Sequence, residues 1–220
     1  MHRTLLGSCM LVLLGCSFLG AQDTEKFVSG PKPGTFMPGP FECLNINGPA
    51  EGRLNCLVCK FGLHPSVLVF VKEPVAGQDE VVNDLLKKLD EAVDAREFQD
   101  RSFSVGVIFL SPDARDSTNN VEEDRSEEII KEAVKREKLV ERLKARAMNL
   151  KNAIVATYLA EGPKAYKLNP KAEITILYYD RLKILENYAY PSGALQTQDV
   201  EAITKRLQEI VPVKKKQVKD

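Results

Sequence analysis

Continuous apolar runs alternate with amphipathic stretches along the first half of the chain. Val67–Val71 and Phe103–Leu110 are short, rich in β-branched and aromatic residues, and bounded by turn residues. Such runs are typical of strands buried on both faces. Between them, Asp79–Phe98 carries apolar residues three and four positions apart, which is the spacing of one helix face. We therefore predict a strand, a helix and a second strand, in this order.

The second half of the chain continues this alternation and then adds two neighbouring strands. The predicted elements are a long helix, a third strand, two alternating runs and a final helix, over 121–150, 153–159, 174–179 with 182–188, and 199–211. The two alternating runs meet at Asp180-Arg181, which predicts a β-hairpin. Strands that alternate with helices favour an α/β fold whose sheet is covered on both faces.

The residues before the first buried strand are less regular. A Gly- and Pro-rich segment, 22–40, predicts an irregular lead-in or linker. Phe41–Ile46 then alternates and ends at Asn47-Gly48-Pro49, which predicts a short strand followed by a turn. The motif Cys56-x-x-Cys59 lies between this strand and Val67.

The first 21 residues have the pattern of a secretion signal. His2 and Arg3 precede an apolar run from Leu5 to Leu19, and this run is shorter than a membrane span requires. Two processing routes are open: cleavage after Ala21, or lipidation of Cys16 in a lipobox-like sequence. A retained membrane anchor is a third, weaker interpretation. We expect an extracytoplasmic protein, periplasmic or secreted, whose one membrane link would be a lipid on Cys16.

Composition narrows the function further. Lys plus Arg and Asp plus Glu both number 31, so the formal net charge is zero and a nucleic-acid partner is not expected. The basic stretch 212–220 follows the last predicted helix and reads as a flexible tail. Residues 41–211 are long enough for one domain with its own core. No cofactor-binding motif is present, and we expect no resident cofactor.

Cysteine chemistry is the strongest functional signal. Of five cysteines, Cys9 and Cys16 lie in the signal segment, which leaves Cys43, Cys56 and Cys59 in the mature protein. In an oxidising compartment these three can form one disulfide and leave one free thiol.

The order of elements resembles the thioredoxin-like superfamily, in its redoxin branch, over Phe41–Val211. The residues that carry the resemblance are the two buried strands, the hairpin with its closing helix, and Cys56-x-x-Cys59 followed by Lys60. The resemblance implies a three-layer α/β/α sandwich, with the strand near Phe41 as an N-terminal β extension.

Two departures separate this chain from the family pattern. In thioredoxins the Cys-x-x-Cys follows the first core strand, whereas here it precedes that strand, and the expected positions 72–77 contain no cysteine. The family's proline before the third core strand is also displaced, because Lys171-Ala172-Glu173 separate Pro170 from Ile174. The family's active-site residues therefore cannot be transferred by position.

Our first hypothesis is thiol–disulfide exchange at Cys56 and Cys59. In this mechanism Cys56 is the attacking thiol, Cys59 resolves the mixed disulfide, and the charge of Lys60 favours a thiolate. The expected partner is a thiol or disulfide protein of the cell envelope.

Two alternatives remain open. One is a non-catalytic binding module in which Cys56 and Cys59, or one of them with Cys43, form a structural disulfide. The other is a metal site built from Cys56, Cys59 and His64, for which Cu(I) or zinc would be the suitable ions.

Overall fold

The computed structural model describes residues 27–75, 79–98, 101–114 and 126–211. Its strands are β1 (Cys43–Asn45), β2 (Leu54–Asn55), β3 (Ser66–Lys72), β4 (Glu97–Phe98), β5 (Arg101–Ser102), β6 (Ser104–Ser111), β7 (Ile154–Leu159), β8 (Ala172–Asp180) and β9 (Lys183–Pro191). Its helices are α1 (Leu57–Phe61), α2 (Asp79–Ala95), α3 (Ser126–Ala147) and α4 (Thr197–Ile210).

One mixed sheet forms the centre of the domain. Within the described residues it has seven strands in the order β2-β1-β7-β6-β3-β8-β9. The strands β3, β6 and β7 are parallel, whereas β8 runs antiparallel to β3 and pairs with β9 as a hairpin. The apolar runs predicted as buried strands thus lie in the middle of the sheet, where both of their faces are covered.

The two faces of the sheet are covered differently. Helices α2, α3 and α4 pack on one face through apolar side chains that include Leu85, Leu143 and Ile203. The short α1 and irregular segments cover the opposite face, where Phe41, Phe70 and Tyr166 form an aromatic cluster. The three long helices form a full layer, and the second layer is thinner and mostly irregular.

The predicted elements are present with shifted ends. The helix predicted to reach Phe98 ends at Ala95, because Glu97–Phe98 pair with Arg101–Ser102 as a small ladder. The strand predicted over Phe41–Ile46 is limited to Cys43–Asn45.

The β8–β9 hairpin is confirmed, and its loop is Arg181-Leu182. Both loop residues have positive φ, 48° and 61°. Two positive φ values in succession are typical of the turns whose twist matches that of paired strands.

The described part of the Gly- and Pro-rich lead-in, 27–40, packs on the domain. Backbone hydrogen bonds join 34–37 to Leu182 and Ile184, along the outer edge of β9. Ser29 is 2% exposed and its hydroxyl bonds that of Thr175 at 2.7 Å.

The predicted signal segment 1–21 and the tail 212–220 lie outside the described residues, as does 121–125 of the predicted long helix. Among the helices that the structure describes, none has the length and apolar character needed to span a membrane.

Candidate redox site

The Cys-x-x-Cys motif lies at the start of a helix that the sequence did not predict. Chain pairing between β1 and β2 brings Asn55 opposite Cys43, and α1 begins two residues later. The helix has five residues and ends at Gly62, whose φ is 57° and whose N–H bonds the carbonyl of Val58. Gly62 is the signal that could have revealed this end, because glycine with positive φ commonly terminates helices.

Three buried side chains fix α1 on the sheet. Leu57, Val58 and Phe61 are at most 5% exposed and pack on the face opposite the long helices. Gly106 of β6 allows this close approach, because a Cβ there would lie 2.9 Å from Leu57 Cδ1 and 3.1 Å from Phe61 Cε2. The motif is therefore carried by a rigidly seated turn of helix.

Cys56 and Cys59 form a disulfide with a Cα–Cα distance of 5.3 Å. Cys56 is half-buried and Cys59 is exposed, as is the neighbouring Lys60. The backbone N–H of Cys59 donates to the Sγ of Cys56 at 3.1 Å. This N–H would also donate to a Cys56 thiolate after reduction, which favours the charged form of that sulfur.

Cys43 is placed apart from this disulfide as a buried free thiol. Its Sγ donates to the carbonyl of Asn55 at 3.3 Å, and only 1% of the residue is exposed. Burial raises the pKa of this thiol to about 12. The alternative in which Cys43 takes part in the disulfide is therefore wrong for this structure, and Cys43 is a neutral core thiol at ordinary pH.

The proposed metal site is not assembled. In the described ranges, no group of three or more His, Cys, Asp or Glu side chains is placed to hold a metal ion. His64 is exposed, and the sulfurs of Cys56 and Cys59 are bonded to each other. These three residues thus do not form a metal centre in the oxidised protein.

The displacement of the motif from the family position is borne out by the fold. Helix α1 precedes β3 and packs near the amino-terminal part of β6, at Gly106. The carboxyl end of β3, where thioredoxins carry their cysteines, is occupied here by Lys72, Glu73 and Pro74.

No protein-family model and no curated protein matches this chain. Solved structures do match it. A protein from Bacteroides thetaiotaomicron, provisionally assigned as a protein disulfide isomerase, aligns with a TM-score of 0.52 at 12% identity, over 83% of this chain and 93% of that one. The chain has the thioredoxin-like fold. The fold class predicted from the order of its elements is thus confirmed.

Two exported proteins align less well. The exposed lipoprotein thioredoxin of Streptococcus pneumoniae gives a TM-score of 0.43 at 13% identity, over 77% of this chain and 100% of that one. A secreted disulfide oxidoreductase of Mycobacterium tuberculosis gives 0.45 at 11% identity, over 76% and 96%. Neither alignment reaches a TM-score of 0.5, and the function of this chain has to be argued from the site.

Proposed function

We propose that this protein is a thiol–disulfide oxidoreductase that acts through Cys56 and Cys59. The observation that carries the proposal is that the disulfide lies at the surface, with Cys56 half-buried and Cys59 exposed, at the start of a helix whose own position is fixed by buried side chains. An exchange catalyst needs a disulfide that a partner can reach, whereas a purely structural disulfide gains nothing from exposure. The positive charge of Lys60 lies next to Cys59 in the chain.

The exchange proceeds in two balanced steps. The Cys56 thiolate attacks a partner disulfide, so that a Cys56–partner bond forms and the second partner sulfur leaves as a thiolate. The Cys59 thiolate then attacks Cys56, which closes the internal disulfide and releases the other partner sulfur. Two electrons pass to the partner, which ends as a dithiol after protonation by solvent. The same steps in reverse oxidise a partner dithiol.

The hydrogen bond from the Cys59 N–H to the Cys56 sulfur supports Cys56 as the attacking residue. Trapping tests this order. The Cys59→Ser variant should accumulate a mixed disulfide on Cys56, whereas the Cys56→Ser variant should not accumulate one on Cys59. Accumulation only in the Cys56→Ser variant would reverse the assigned roles.

The reduction potential tests the proposal as a whole. Thiol trapping across glutathione buffers, with mass spectrometry to identify the bonded cysteines, should place the Cys56–Cys59 couple between about −120 and −270 mV, as in exchange proteins. The Cys43→Ala variant is the matched control, because it removes the third cysteine and leaves the couple intact. A couple that stays oxidised below about −300 mV would contradict exchange.

If the couple stays oxidised at such potentials, we propose a second function instead of exchange: a non-catalytic binding module whose disulfide stabilises α1. The observation that favours this function is the absence of cysteine at the carboxyl end of β3, within Lys72–Val75. Wild-type binding of an envelope partner by a Cys56→Ser, Cys59→Ser double variant would support it.

The protein is proposed to act outside the cytoplasm on a thiol or disulfide protein of the cell envelope. The signal pattern of residues 1–21 and the exposed disulfide support this location, because such disulfides persist in oxidising compartments. Mass spectrometry of the mature N-terminus distinguishes cleavage after Ala21 from a lipidated Cys16. An intact Met1 in cytosolic protein would contradict export.

A further inference from the structure

A cleft of about 470 Å³ opens at the end of the sheet where β3, β6 and β7 finish and β8 begins. Its walls are largely apolar and include Phe70, Pro74, Leu110, Pro112, Leu168 and Pro170. Ligands of α/β proteins commonly bind outside the carboxyl ends of parallel strands. The volume also lies within the range of small-molecule sites, about 300–1,000 Å³. Position and size therefore both suit a small ligand.

Glu173 supplies this cleft with a buried and unsatisfied carboxylate. It is the second residue of β8, lines the cleft together with Thr175, and is 4% exposed. Its Oε1 has no hydrogen-bond partner in the structure, and Glu173 forms no ion pair within the described ranges. An unpartnered carboxylate oxygen in a buried position is costly, so its retention calls for a missing donor.

The nearest basic residue on the strand alongside does not supply that donor. The register of β3 with β8 pairs Phe70 with Thr175, which places Lys72 and Glu173 on one face. The ammonium group of Lys72 instead donates to the carbonyl of Pro170. Lys72 is thus held by a backbone group of the cleft and leaves the Glu173 oxygen unpaired.

Glu73, at the same end of the sheet, differs from Glu173 in having cationic partners, although its Oε2 also lacks a hydrogen bond. Its Oε1 lies 3.4 Å from Nε of Arg142, and its Oε2 lies 3.8 Å from Nη2 of Arg146. Two guanidinium groups from α3 therefore balance its charge, although it is as buried as Glu173. The contrast identifies Glu173 as the residue whose cationic partner is absent from the described chain.

The chemistry of the walls selects the class of cation. Mg²⁺ and Ca²⁺ require several oxygen ligands, and the described residues contain no suitable three-residue group. Of the three carboxylates that line the cleft, Glu73 is ion-paired and Glu161 is exposed, so Glu173 is the buried one without a cationic partner. A buried carboxylate with apolar neighbours fits an ammonium or amidinium group on a hydrocarbon body. We propose that this cleft binds a small organic cation whose charged group donates a hydrogen bond to Glu173 and whose apolar body packs on Phe70 and Leu110. This site is separate from the disulfide, and its proposal does not depend on the redox function.

A pair of probes of equal shape tests the site. Benzamidine carries a charged amidinium, and benzamide is its neutral counterpart. In an NMR titration of the protein, benzamidine should perturb the amides of residues 72 and 173, with a dissociation constant on the order of 1 mM or lower. Benzamide should bind at least about tenfold more weakly, since it forms no charge-assisted hydrogen bond.

Variants on either side of the cleft give effects of opposite sign. Glu173→Gln should weaken benzamidine binding by roughly tenfold to a hundredfold. Lys72→Met should strengthen it, because a like charge is removed from the cleft. Glu161→Gln is the matched control: Glu161 is exposed and lines the same cleft, so its loss should change the affinity less than about fivefold.

Three results would overturn the proposal: equal affinity for the two probes, unchanged benzamidine binding by Glu173→Gln, or no saturable binding of benzamidine. The NMR spectrum of each variant verifies that it is folded. If Glu173→Gln does not fold, Lys72→Met decides alone, and weaker benzamidine binding by that variant would contradict a cation site.

Discussion

Two buried carboxylates, one at each end of the parallel strands, differ in their hydrogen bonds. Near the amino end of β7, Asp90 is 5% exposed and accepts backbone N–H groups of 151–153 at 3.1, 2.7 and 2.7 Å. Near the carboxyl end of β3, Glu173 is 4% exposed, and its Oε1 accepts no hydrogen bond in the structure. Equal burial with unequal pairing separates a structural group from a candidate functional one, because a stable fold rarely leaves such an atom unpaired.

Asp180 is a second paired carboxylate at the amino end. Arg101 forms two hydrogen bonds to Asp180 there, at 2.7 and 3.0 Å, and a third to the carbonyl of Leu63. Of the three cysteines that the structure describes, Cys43 is enclosed and hydrogen-bonded, whereas the Cys56–Cys59 disulfide reaches the surface at Cys59. The carboxylates Asp90 and Asp180 at the amino end are thus paired, whereas Glu173 in the cleft at the carboxyl end is not.

The largest expected effect concerns the enclosed thiol of Cys43. Its folded-state pKa is about 12, above the reference value of 9.0, so the folded protein keeps a proton that the unfolded chain releases. This contribution to stability is present below pH 9 and is lost as the pH rises toward 12. The free energy of unfolding should therefore fall by about 1.4 kcal/mol per pH unit across this window.

The pH dependence due to Cys43 is isolated by urea denaturation of two proteins. Both have Cys56 and Cys59 replaced by Ala to prevent disulfide exchange, and one of them also carries Cys43→Ala. The difference in unfolding free energy between the two should shrink with pH above 9. A constant difference up to pH 12 would mean that Cys43 is not enclosed.

The next effect is the loss of the Asp90 carboxylate. Asp90→Ala leaves three backbone N–H groups before β7 without their acceptor, so the unfolding free energy should fall by about 3 kcal/mol. Asp94→Ala is the matched control on the same helix. Asp94 is exposed and makes a single bond to the Asn152 side chain, so its loss should cost less than about 1 kcal/mol. If urea denaturation showed equal losses of unfolding free energy for Asp90→Ala and Asp94→Ala, the hydrogen bonds of Asp90 would not be the cause of its effect.

Glu173→Gln should change the unfolding free energy in the opposite direction to Asp90→Ala. Removing an unpaired buried charge should raise the unfolding free energy by about 1 kcal/mol in the absence of ligand, and Glu161→Gln should leave it nearly unchanged. Thermal unfolding measures both variants. A destabilised Glu173→Gln protein would show that the carboxylate has a structural partner and would make the two ends alike.

The smallest effect is the expected independence of the cleft and the disulfide. Glu173→Gln should leave the reduction potential of the Cys56–Cys59 couple unchanged, and reduction of that disulfide should leave benzamidine binding unchanged, since separate sites behave additively. A shift in either quantity would show that the cleft and the disulfide belong to one site.

The elements were predictable because their signals are local. The apolar runs of β3 and β6, the helical spacing of α2 and the alternation in the β8–β9 hairpin all record burial within a few residues. Helix α1 escaped prediction because five residues hold too little periodicity to be recognised, although Gly62 marks its end. The pairing of Cys56 with Cys59, one of several open alternatives, was decided by the burial of Cys43.

The buried carboxylates show most clearly what could not be predicted from the sequence. In the sequence Asp90 stands between Leu89 and Glu91, and Glu173 stands between Ala172 and Ile174, and neither context identifies a partner for the carboxylate. The sequence gives a partial indication for Glu173, because an acidic side chain at the start of a strand buried on both faces needs a partner. Which of the two finds one depends on chain segments about sixty residues away, such as 151–153 for Asp90.

The sequence by itself determined the order of the main strands and helices, the thioredoxin-like class, the β8–β9 hairpin and the candidate cysteines. Only the tertiary structure decided that Cys43 is sealed in the core, that the disulfide is exposed on a fixed helix, and that the carboxyl end of the sheet opens as a cleft around Glu173. The physical reason is that periodicity reports whether a residue is buried, whereas the partners of a buried polar atom come from segments that meet only when the chain folds.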